Sequence, residues 1–586
     1  MINIEAKLQE IGGYGRYQML VFLCICFVCM RGAWHPFVSS FTALTPDLLC
    51  TNLTYDTNIS ASFPTANVSV KLGTFHVSSE NVDEYLCGTR VNSTSCQFDV
   101  LKHGKTYVSE WNLVCGKSYL VSLNTAVFMI GQMVGAIFLS MCADIIGRKK
   151  MLIVYLLSQA AVGLGAAFVD GYIFFTVLRF IIGALNQGIA LVGYVTVCEL
   201  FPATHRTMPC VGIQFFWALG VMALSGIAYW LKDWNYIQIA ISVPSFLAII
   251  YIWIIPESVI WLSFKGRIAD AQKILGKFAK WNGKALSQDC EDCDCSNDRI
   301  NTDDVNAQKD CTSCSSQVVV EDEENSSRIS ALGKCSVFGI FKRPRMAMYS
   351  IVMFYSWLAN SMLYFGISFS FTLLPGNIYL NFFLNGLAEI PAYLTGMYAL
   401  GHGRRIALFT FLMIGGIANI IIVLVATYAS STVTWLTPVM ITLAMVGKFG
   451  ITGSYSTTYL YAAEMFPTFI RNSSVGLSSL WETLGAVMAP FVLEWAGGSQ
   501  IFRVLFGLIA ITAALLSLCL PETKNQPLPE TIDDVEKMPR LDFRRYFKCC
   551  FAVPAPVVVN RRPVTVDDCD SPTYNSTELE CIDLKT

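Results

Sequence analysis

Charged residues are scarce in this sequence, and histidine is scarcer still. Only 14% of the 586 residues are Asp, Glu, Lys or Arg, and five are His. Soluble proteins carry about 25% charged residues. The formal net charge of −2 also leaves no excess of positive charge for a polyanion. The composition therefore argues against a soluble domain and excludes a nucleic-acid partner.

Motifs for catalysis and for nucleotide binding are absent as well. The sequence contains neither the HExxH pattern of zinc proteases nor the GxSxG elbow of hydrolases. Its nearest approach to a phosphate-binding loop is Gly116-Lys117-Ser118, but Trp111 stands where that loop needs glycine. We therefore predict no catalytic residue, no cofactor, no metal and no direct use of ATP, so the protein is not expected to be an enzyme.

Apolar residues, in contrast, are abundant and clustered. They make up 54% of the chain and gather into windows of about 20 residues, the length that crosses a lipid bilayer as a helix. This pattern predicts an all-α membrane protein with twelve transmembrane helices in two pseudo-symmetric bundles of six. The predicted spans are 17–40, 118–142, 151–170, 174–200, 207–230, 236–255, 347–371, 377–399, 406–427, 434–462, 472–495 and 501–520.

An internal duplication divides the chain into the two bundles. The pattern Glu-x-Phe-Pro-x3-Arg starts at Glu199 and again at Glu464. Pro-Glu-Ser at 256–258 and Pro-Glu-Thr at 521–523 are separated by the same number of residues as those two glutamates. Gly-Arg-Lys at 147–149 and Gly-Arg-Arg at 403–405 form a third pair. Parallel repeats in an apolar chain indicate a transporter whose substrate lies between its halves.

Basic residues at the span ends predict the orientation. They collect at one end of the predicted bundle, which is therefore cytosolic, as are both termini. These residues are Arg148, Lys149, Lys150, His205, Arg206, Lys265, Arg267, Lys342, Arg343, Arg345, Arg404, Arg405 and Arg471.

Six segments follow from the spans and the orientation. They are an N-terminus with the first helix (1–40), a glycosylated extracellular loop (41–117), the rest of the first bundle (118–255), a cytosolic loop (256–346), the second bundle (347–520) and a cytosolic tail (521–586).

The extracellular loop carries the signs of secretory-pathway chemistry. Its Asn-x-Ser/Thr glycosylation acceptors are Asn52, Asn58, Asn67 and Asn92. Its disulfide candidates are Cys50, Cys87, Cys96 and Cys115. Four cysteines allow three pairings, and the spacing favours none of them.

The cytosolic segments contain three further patterns. Residues 268–281 have the apolar spacing of an amphipathic helix lying along the inner face. Two Cys-x2-Cys pairs, at Cys290 and Cys311, match zinc-ribbon spacing, but polar residues between them favour an unstructured loop without metal. Cys549 and Cys550 follow basic residues and indicate either a palmitoylation site or a plain exposed tail.

Charges at the cytosolic helix ends recur in both halves. We predict that acids and bases pair there across the two halves and latch the inner side shut, although plain interfacial charge is the alternative. The predicted latch residues are Asp144, Arg148, Glu199, Arg206, Glu257, Arg404, Glu464 and Arg471.

Three charges lie deeper and predict a substrate site. Arg31 is well inside the first span, Glu389 is halfway along the eighth, and Glu482 is inside the eleventh. Because an uncompensated ion in lipid costs several kcal/mol, these groups should face a watery cavity or one another. The alternative is a structural pair of Arg31 with a glutamate. Aromatic side chains, which attract ammonium groups, accompany these charges on the same helices.

Several stretches resemble a known family. They are DIIGRK (144–149), RFIIG…ELFPATHR (179–206), PESVIWLSFKGR (256–267), GNIYLNFFLNGLAEIPAYL (376–394), MVGKFG (445–450), YLYAAEMFPTFIRNSSVG (459–476) and LPETKNQPLPETI (520–532). In these stretches the chain resembles the organic cation/carnitine transporters of the major facilitator superfamily, over roughly residues 12–535.

The resemblance implies substrate contacts at Trp357, Tyr364 and Tyr194, and recognition of the substrate's positive charge by Glu389. Two of the departures from the family pattern concern the predicted site and latch. Thr483, preceded by Glu482, stands where cation carriers have Asp and anion carriers have Arg. Leu400 replaces the Asp of the second Asp-x2-Gly-Arg element, which weakens that latch.

We therefore expect a plasma-membrane carrier that moves small organic cations or zwitterions by alternating access. Glu389 would hold the ammonium, and Arg31 could accept the carboxylate of a carnitine-like substrate. Partners would be this substrate and the lipid bilayer, and coupling to an ion is left open. The alternatives are a sugar facilitator of the same superfamily and a non-transporting membrane receptor or scaffold.

Overall fold

The computed structural model describes the membrane part of the chain and portions of its loops. Described are residues 4–46, 48–55, 70–77, 94–98, 104–202, 205, 207–284, 341, 343–429, 435–467, 471–496, 501–524, 526, 529 and 532–538, with only the backbone for 4–6, 48–55, 70–77, 94–97, 207 and 471–473. The predicted glycosylation acceptors Asn58, Asn67 and Asn92, Cys87, the latch residue Arg206 and both Cys-x2-Cys pairs lie outside these residues.

Helices occupy all twelve predicted positions, within a few residues of the predicted bounds. They are α1 (Arg16–Gly32, extended by the turns Trp34–Phe37 and Ser39–Thr42), α2 (Tyr119–Ile146), α3 (Arg148–Ala166), α4 (Tyr172–Leu200), α5 (Thr207–Leu231), α6 (Trp234–Ser242, Val243–Leu247 and Ala248–Ile254), α7 (Pro344–Ser370), α8 (Ile378–Leu387 and Glu389–Leu400), α9 (Arg404–Tyr428), α10 (Leu436–Met465), α11 (Arg471–Trp495) and α12 (Ile501–Ser517).

Nine of the helices in the described part of the chain are long and apolar enough to cross a membrane by themselves. The other three positions fall short for local reasons. α3 begins with three basic residues, α12 has 17 residues, and α8 is interrupted at Ala388. Pro391 explains that interruption, because it has no N–H to donate to the preceding turn.

Short elements flank the bundle. The predicted amphipathic helix is present as Ile268–Asn282, and it buries Ala271, Leu275 and Phe278. A three-stranded antiparallel sheet was not predicted: β1 (Leu48–Tyr55) lies between β2 (Val70–Val77) and β3 (Thr94–Phe98), with Cys50 opposite Cys96. The remaining short helices are Ile4–Ile11, Tyr107–Glu110, Cys115–Lys117, Val259–Phe264, Phe371–Leu373 and Ile532–Lys537.

The segment before α2 is fastened to the first half of the molecule. The Lys105 amide donates to Asp233 at 2.7 Å, and the Trp234 amide donates back to the Lys105 carbonyl at 3.0 Å. The Trp234 ring nitrogen also donates to Glu110 at 2.6 Å. Cys115, at the end of this segment, is disulfide-bonded.

The duplicated motifs build the same joint in each half. Gly147 ends α2 at φ +125° and Gly403 precedes α9 at φ +150°, conformations that favour glycine. In the first half Glu257 accepts the Lys149 amide at 3.0 Å, and in the second Glu522 accepts the Arg404 amide at 2.9 Å. Each carboxylate therefore satisfies backbone donors at a helix start, where negative charge is favourable.

Close helix contacts hold each half together. α2 and α4 cross where Gly183 is packed against the main chain of α2: a Cβ on Gly183 would lie 2.2 Å from the Phe128 carbonyl oxygen. Between the halves, α5 packs against α8, and α2 packs against α11. The space between these two contacts is the central cavity.

Candidate functional site

A cavity of about 290 Å³ lies between the two halves. Its wall comes from α1, α2, α4 and α5 of the first half and from α7, α8, α10 and α11 of the second. The polar and aromatic residues of its lining are Gln132, Asn186, Gln187, Tyr194, Gln214, Trp217, Ser361, Tyr364, Phe365, Tyr393, Thr452, Tyr455, Ser456, Tyr459, Glu482 and Thr483.

One end of the cavity is closed by aromatic rings from both halves. We call this cluster the aromatic plug; it comprises Phe37, Phe41, Phe365, Phe369, Tyr379 and Phe382. Phe37 is fully buried, with its ring centroid 5.7 Å from that of Phe365 and 6.0 Å from that of Phe382. Phe41 stacks on Tyr379 at 5.6 Å. The plug lies at the end of the bundle that carries the sheet, which we call the loop end.

The opposite end, which carries Arg148 and Arg404, is open. Tyr194 and Tyr459 line the cavity on the parts of α4 and α10 that point toward this end. Their side chains are 46% and 41% exposed. The structure is therefore sealed at the loop end and accessible from the basic end.

Glu389 does not face lipid; it is fully buried in an ion pair with Lys448 of α10. Lys448 Nζ lies 2.9 Å from Glu389 Oε1, and neither side chain is exposed. The hydroxyl groups of Tyr364 and Tyr393 donate to the same carboxylate at 2.7 Å and 3.1 Å. Ser368 accepts from Lys448 at 2.6 Å. Both charges are thus compensated.

Lys448 was not predicted as a site residue from the MVGKFG stretch, although a lysine in the middle of an apolar span is itself a signal for a functional or paired charge. Neither Lys448 nor Glu389 is part of the cavity lining. Tyr364, which donates to Glu389, does line the cavity and connects the ion pair to it. The Trp217 ring nitrogen donates to the Tyr364 hydroxyl at 2.8 Å, so this bond joins the two halves.

Glu482 is the acid that lines the cavity. Tyr459 donates to its Oε1 at 2.8 Å, and Tyr455 donates to the same oxygen. Thr483 also lines the cavity, but its hydroxyl donates to the Ser479 carbonyl at 3.0 Å and is occupied within the helix. Of Glu482 and Thr483, it is therefore Glu482 that places a negative charge on the cavity wall.

The predicted role of Arg31 does not fit its position. Its NH1 atom donates to Gln159 at 2.6 Å and to Ser245 at 2.9 Å, and the residue is 1% exposed. α1 therefore points this side chain toward α3 and α6, away from the cavity. The alternative pair of Arg31 with a glutamate is not present among the described residues.

The three aromatic residues implied by the family resemblance have different surroundings. Tyr194 and Tyr364 line the cavity. Trp357 is 1% exposed and stands behind Tyr459, with ring centroids 4.3 Å apart in an edge-to-face arrangement. Trp357 thus supports a ring of the cavity wall and does not form the wall itself.

The predicted latch charges pair within each half. Arg148 lies 3.1 Å from Glu199 and 3.3 Å from Asp144, all in the first half. Arg404 binds both oxygens of Glu464 at 2.9 Å in the second half. No pairing across the halves is present among the described residues, whose basic end is open, and the latch is predicted for the state in which that end is shut. For Arg471 only the backbone is described.

Comparison with known proteins agrees with this architecture. Residues 43–534 match the model of the family described as sugar (and other) transporter. The chain is 32% identical to the organic cation transporter protein of Drosophila melanogaster, over 91% of this chain and 95% of that protein. It is 29% identical to solute carrier family 22 member 3 of Rattus norvegicus, over 92% and 96% of the two chains.

Solved structures share the fold. The inward open conformation of the xylose transporter XylE from E. coli superimposes with a TM-score of 0.55 at 14% identity, covering 89% of this chain and 99% of that chain. A second structure of XylE, titled as a major facilitator superfamily proton:xylose symporter, gives 0.54 at 15% identity. This chain therefore belongs to the sugar (and other) transporter family and has the fold of the major facilitator superfamily, and it is a membrane transporter rather than an enzyme.

Proposed function

We propose that this transporter carries small organic cations, and zwitterions that contain an ammonium group, by alternating access. The observation that carries the proposal is Glu482. Its carboxylate lies on the cavity wall, accepts hydrogen bonds from Tyr455 and Tyr459, and has no cationic partner among the described residues. A partly buried carboxylate without a counter-charge is costly, and a substrate cation would compensate it.

The aromatic surroundings of Glu482 suit an ammonium group. Tyr455 and Tyr459 stand beside it with ring centroids 5.5 Å apart, and Tyr194 lines the same part of the cavity. The faces of such rings attract alkylated ammonium ions, at a gain of about 0.5–2 kcal/mol for each favourable contact. Trp357, behind Tyr459, would keep that ring in place.

The proposed transport cycle follows from the closed and open ends of the cavity. With the basic end in the cytosol, the state described here is the one that exchanges substrate with the cytosol. The aromatic plug would separate to admit substrate from outside. Inward movement of a monovalent cation gains about 2.3 kcal/mol for each 100 mV of membrane potential. The pairs Arg148–Glu199 and Arg404–Glu464 would keep each half rigid during this movement.

Glu389 would act behind the cavity wall. Its pairing with Lys448 leaves it no free charge for a substrate, but it orients the Tyr364 hydroxyl, which reaches the cavity wall. We therefore assign ammonium binding to Glu482 and a positioning role to the pair of Glu389 and Lys448. A comparison of uptake with and without a sodium gradient tests whether sodium accompanies the substrate.

The proposal includes a location and a topology. We place the protein in the plasma membrane with both termini in the cytosol and with residues 41–117 outside. Glycosidase treatment of protein from intact cells should increase its electrophoretic mobility, and replacing Asn52, Asn58, Asn67 and Asn92 together by Gln should remove that change. An unchanged mobility in the wild type would contradict the glycosylated outer loop.

Uptake of radiolabelled solutes tests the function. Choline, tetraethylammonium and carnitine should enter cells that express the protein, in a saturable manner, with and without a sodium gradient. Glu482→Gln should lower choline uptake at least about tenfold, the effect of about 1.4 kcal/mol. Glu536→Gln, which changes an acid of the short helix Ile532–Lys537, is the matched control and should transport normally. Normal uptake by Glu482→Gln would remove this residue from the binding site.

A sugar substrate is the second candidate. It has one observation in its favour, since Gln132, Asn186, Gln187 and Gln214 line the cavity and amides are suited to sugar hydroxyls. Saturable glucose uptake without uptake of any cation would establish this alternative.

A further inference from the structure

A chain of three polar side chains connects the buried Arg31 to the cavity wall. Arg31 NH1 donates to Gln159 Oε1 at 2.6 Å. Gln159 Nε2 donates to Asn186 Oδ1 at 3.2 Å. Asn186 belongs to the cavity lining. We call Arg31, Gln159 and Asn186 the amide relay.

Arg31 fixes the direction of the relay, because a guanidinium has five donors and no acceptor. The oxygen of Gln159 must therefore face Arg31. Its NH2 group then faces Asn186 and the Ile182 carbonyl, which it reaches at 3.4 Å. The opposite orientation would bring donor against donor at Arg31 and oxygen against oxygen at Ile182, so it is excluded.

The same reasoning fixes Asn186. Because Gln159 offers it an N–H, Asn186 must use its oxygen for that bond. Its NH2 group has no hydrogen-bond partner among the described residues and is free to donate to a molecule bound in the cavity. The first half of the molecule therefore presents a hydrogen-bond donor to the cavity, and Glu482 of the second half presents an acceptor with negative charge.

A positive charge stands behind this donor. Arg31 is 1% exposed, and its Nε and NH2 atoms have no hydrogen-bond partner. Arg31 is bound by the neutral groups of Gln159 and Ser245, and no carboxylate is paired with it among the described residues. Because the protein interior screens charge poorly, the positive charge of Arg31 favours a negatively charged substrate group beside Asn186.

We propose that the Asn186 NH2 group is the carboxylate subsite of the transporter, polarised by Arg31 through Gln159, and that ammonium carboxylates are its substrate class. The inference rests on the proposed function, because Glu482 must hold the ammonium end. It differs from a direct Arg31 contact, because the guanidinium never touches the substrate. The substrate carboxylate accepts a hydrogen bond from the neutral Asn186 NH2 group and forms no ion pair with an arginine. The substrate is therefore held less tightly and is easier to release.

Gln159→Glu reverses the relay and provides the sharpest test. The new carboxylate accepts from Arg31 and also from Asn186, which must turn its NH2 group away from the cavity and its oxygen toward it. The change adds no volume. Asn186→Ala removes the hydrogen-bond donor. Asn186→Ser keeps a polar hydroxyl on a shorter side chain and is used if Asn186→Ala fails to fold. Gln238→Glu is the matched control, a buried glutamine of the same half that bonds to the Gly163 carbonyl outside the relay.

The readout is the ratio of carnitine uptake to choline uptake for each full-length variant in cells. These probes share a trimethylammonium group, and only carnitine has a carboxylate. A ratio is independent of the amount of protein at the surface. We expect Gln159→Glu and Asn186→Ala to lower it about tenfold or more, which equals about 1.4 kcal/mol, with choline uptake retained. Gln238→Glu should leave the ratio unchanged.

Each result has a distinct meaning. An unchanged ratio in Gln159→Glu and in both Asn186 variants overturns the subsite and leaves the proposed function intact. A wild type that takes up choline but no carnitine overturns the carboxylate subsite and the substrate class together and leaves cation transport intact. A wild type that takes up neither removes the proposed function and the subsite together.

Discussion

Lys448 and Glu389 form an ion pair of 2.9 Å that no solvent reaches. The carboxylate also accepts from two tyrosine hydroxyls, and the ammonium lies 3.3 Å from the centroid of the Tyr364 ring. Such a pair is expensive to bury but more expensive to break, because the surviving charge has no water to solvate it. The pair therefore stabilises the second half only as long as both partners are present.

Removing one partner of this pair should destabilise the protein strongly. We expect Glu389→Gln and Lys448→Met each to cost about 3–5 kcal/mol, measured as a lower melting temperature of the detergent-purified protein. The double variant should recover most of this loss. If its destabilisation equals the sum of the two single effects, the residues are not coupled and the ion pair is not present in solution.

The aromatic plug predicts a change in accessibility. Cys29 lines the cavity, which is closed at the loop end by Phe37. Because Phe37→Ala removes a ring that packs only when this end is closed, at a cost of about 3–5 kcal/mol, the closed state should become less populated. A membrane-impermeant thiol reagent applied outside cells should then label Cys29 faster. The same variant with Cys29→Ser is the control, and equal labelling with and without Phe37 would contradict the plug.

Arg404 should not be replaceable by lysine. It binds both oxygens of Glu464 at 2.9 Å, with only 19% and 18% of the two side chains exposed. Lysine keeps the charge but loses the two-pronged geometry, so Arg404→Lys should lower the free energy of unfolding by about 1.5 kcal/mol. Arg343→Lys, opposite Asp533 in a pair that is 56% and 61% exposed, should change it by less than about 0.5 kcal/mol. Equal effects would contradict this difference.

Gly183 should tolerate no side chain. A methyl group there would lie 2.2 Å from the Phe128 carbonyl oxygen, which is main chain and cannot turn aside. We expect Gly183→Ala to destabilise by about 1–3 kcal/mol, visible as a lower melting temperature. Gly165→Ala serves as the comparison, since its methyl group would meet no atom within 4 Å. A neutral Gly183→Ala would mean that α2 and α4 are farther apart than described.

The sequence predicted the helices well because lipid imposes one dominant pattern. Twelve apolar windows were sufficient to place the twelve helices of the bundle in the described part of the chain. The interruption of α8 at Ala388 was not predicted, although Pro391, which explains it, is visible in the sequence. The sheet of β1, β2 and β3 was not predicted, because short strands in a polar loop lack a sequence pattern as strong as the apolar windows of membrane helices.

The side chains of the site could not be predicted in the same way. Arg31 and Glu389 were recognised as buried charges, but their neighbours come from distant helices. Whether Glu389 meets a substrate or Lys448 depends on which face of α8 turns toward α10. Likewise, Arg31 points to α3 and α6 because of the way α1 is rotated. Glu482 is also visible in the sequence as a charge within a span, but the sequence does not show that Glu482, and not Glu389, lines the cavity.

The fastening of Lys105 to Asp233 and Trp234 has a consequence for following the motion of this carrier. A segment bound to one half tilts with that half whenever the two rock against each other. A fluorophore or spin label can be placed on this segment and a second one near Trp435, at the start of α10. The distance between the two labels should then change with each transport cycle. An antibody fragment that holds the segment to the loop end of the other half should arrest the cycle without entering the cavity.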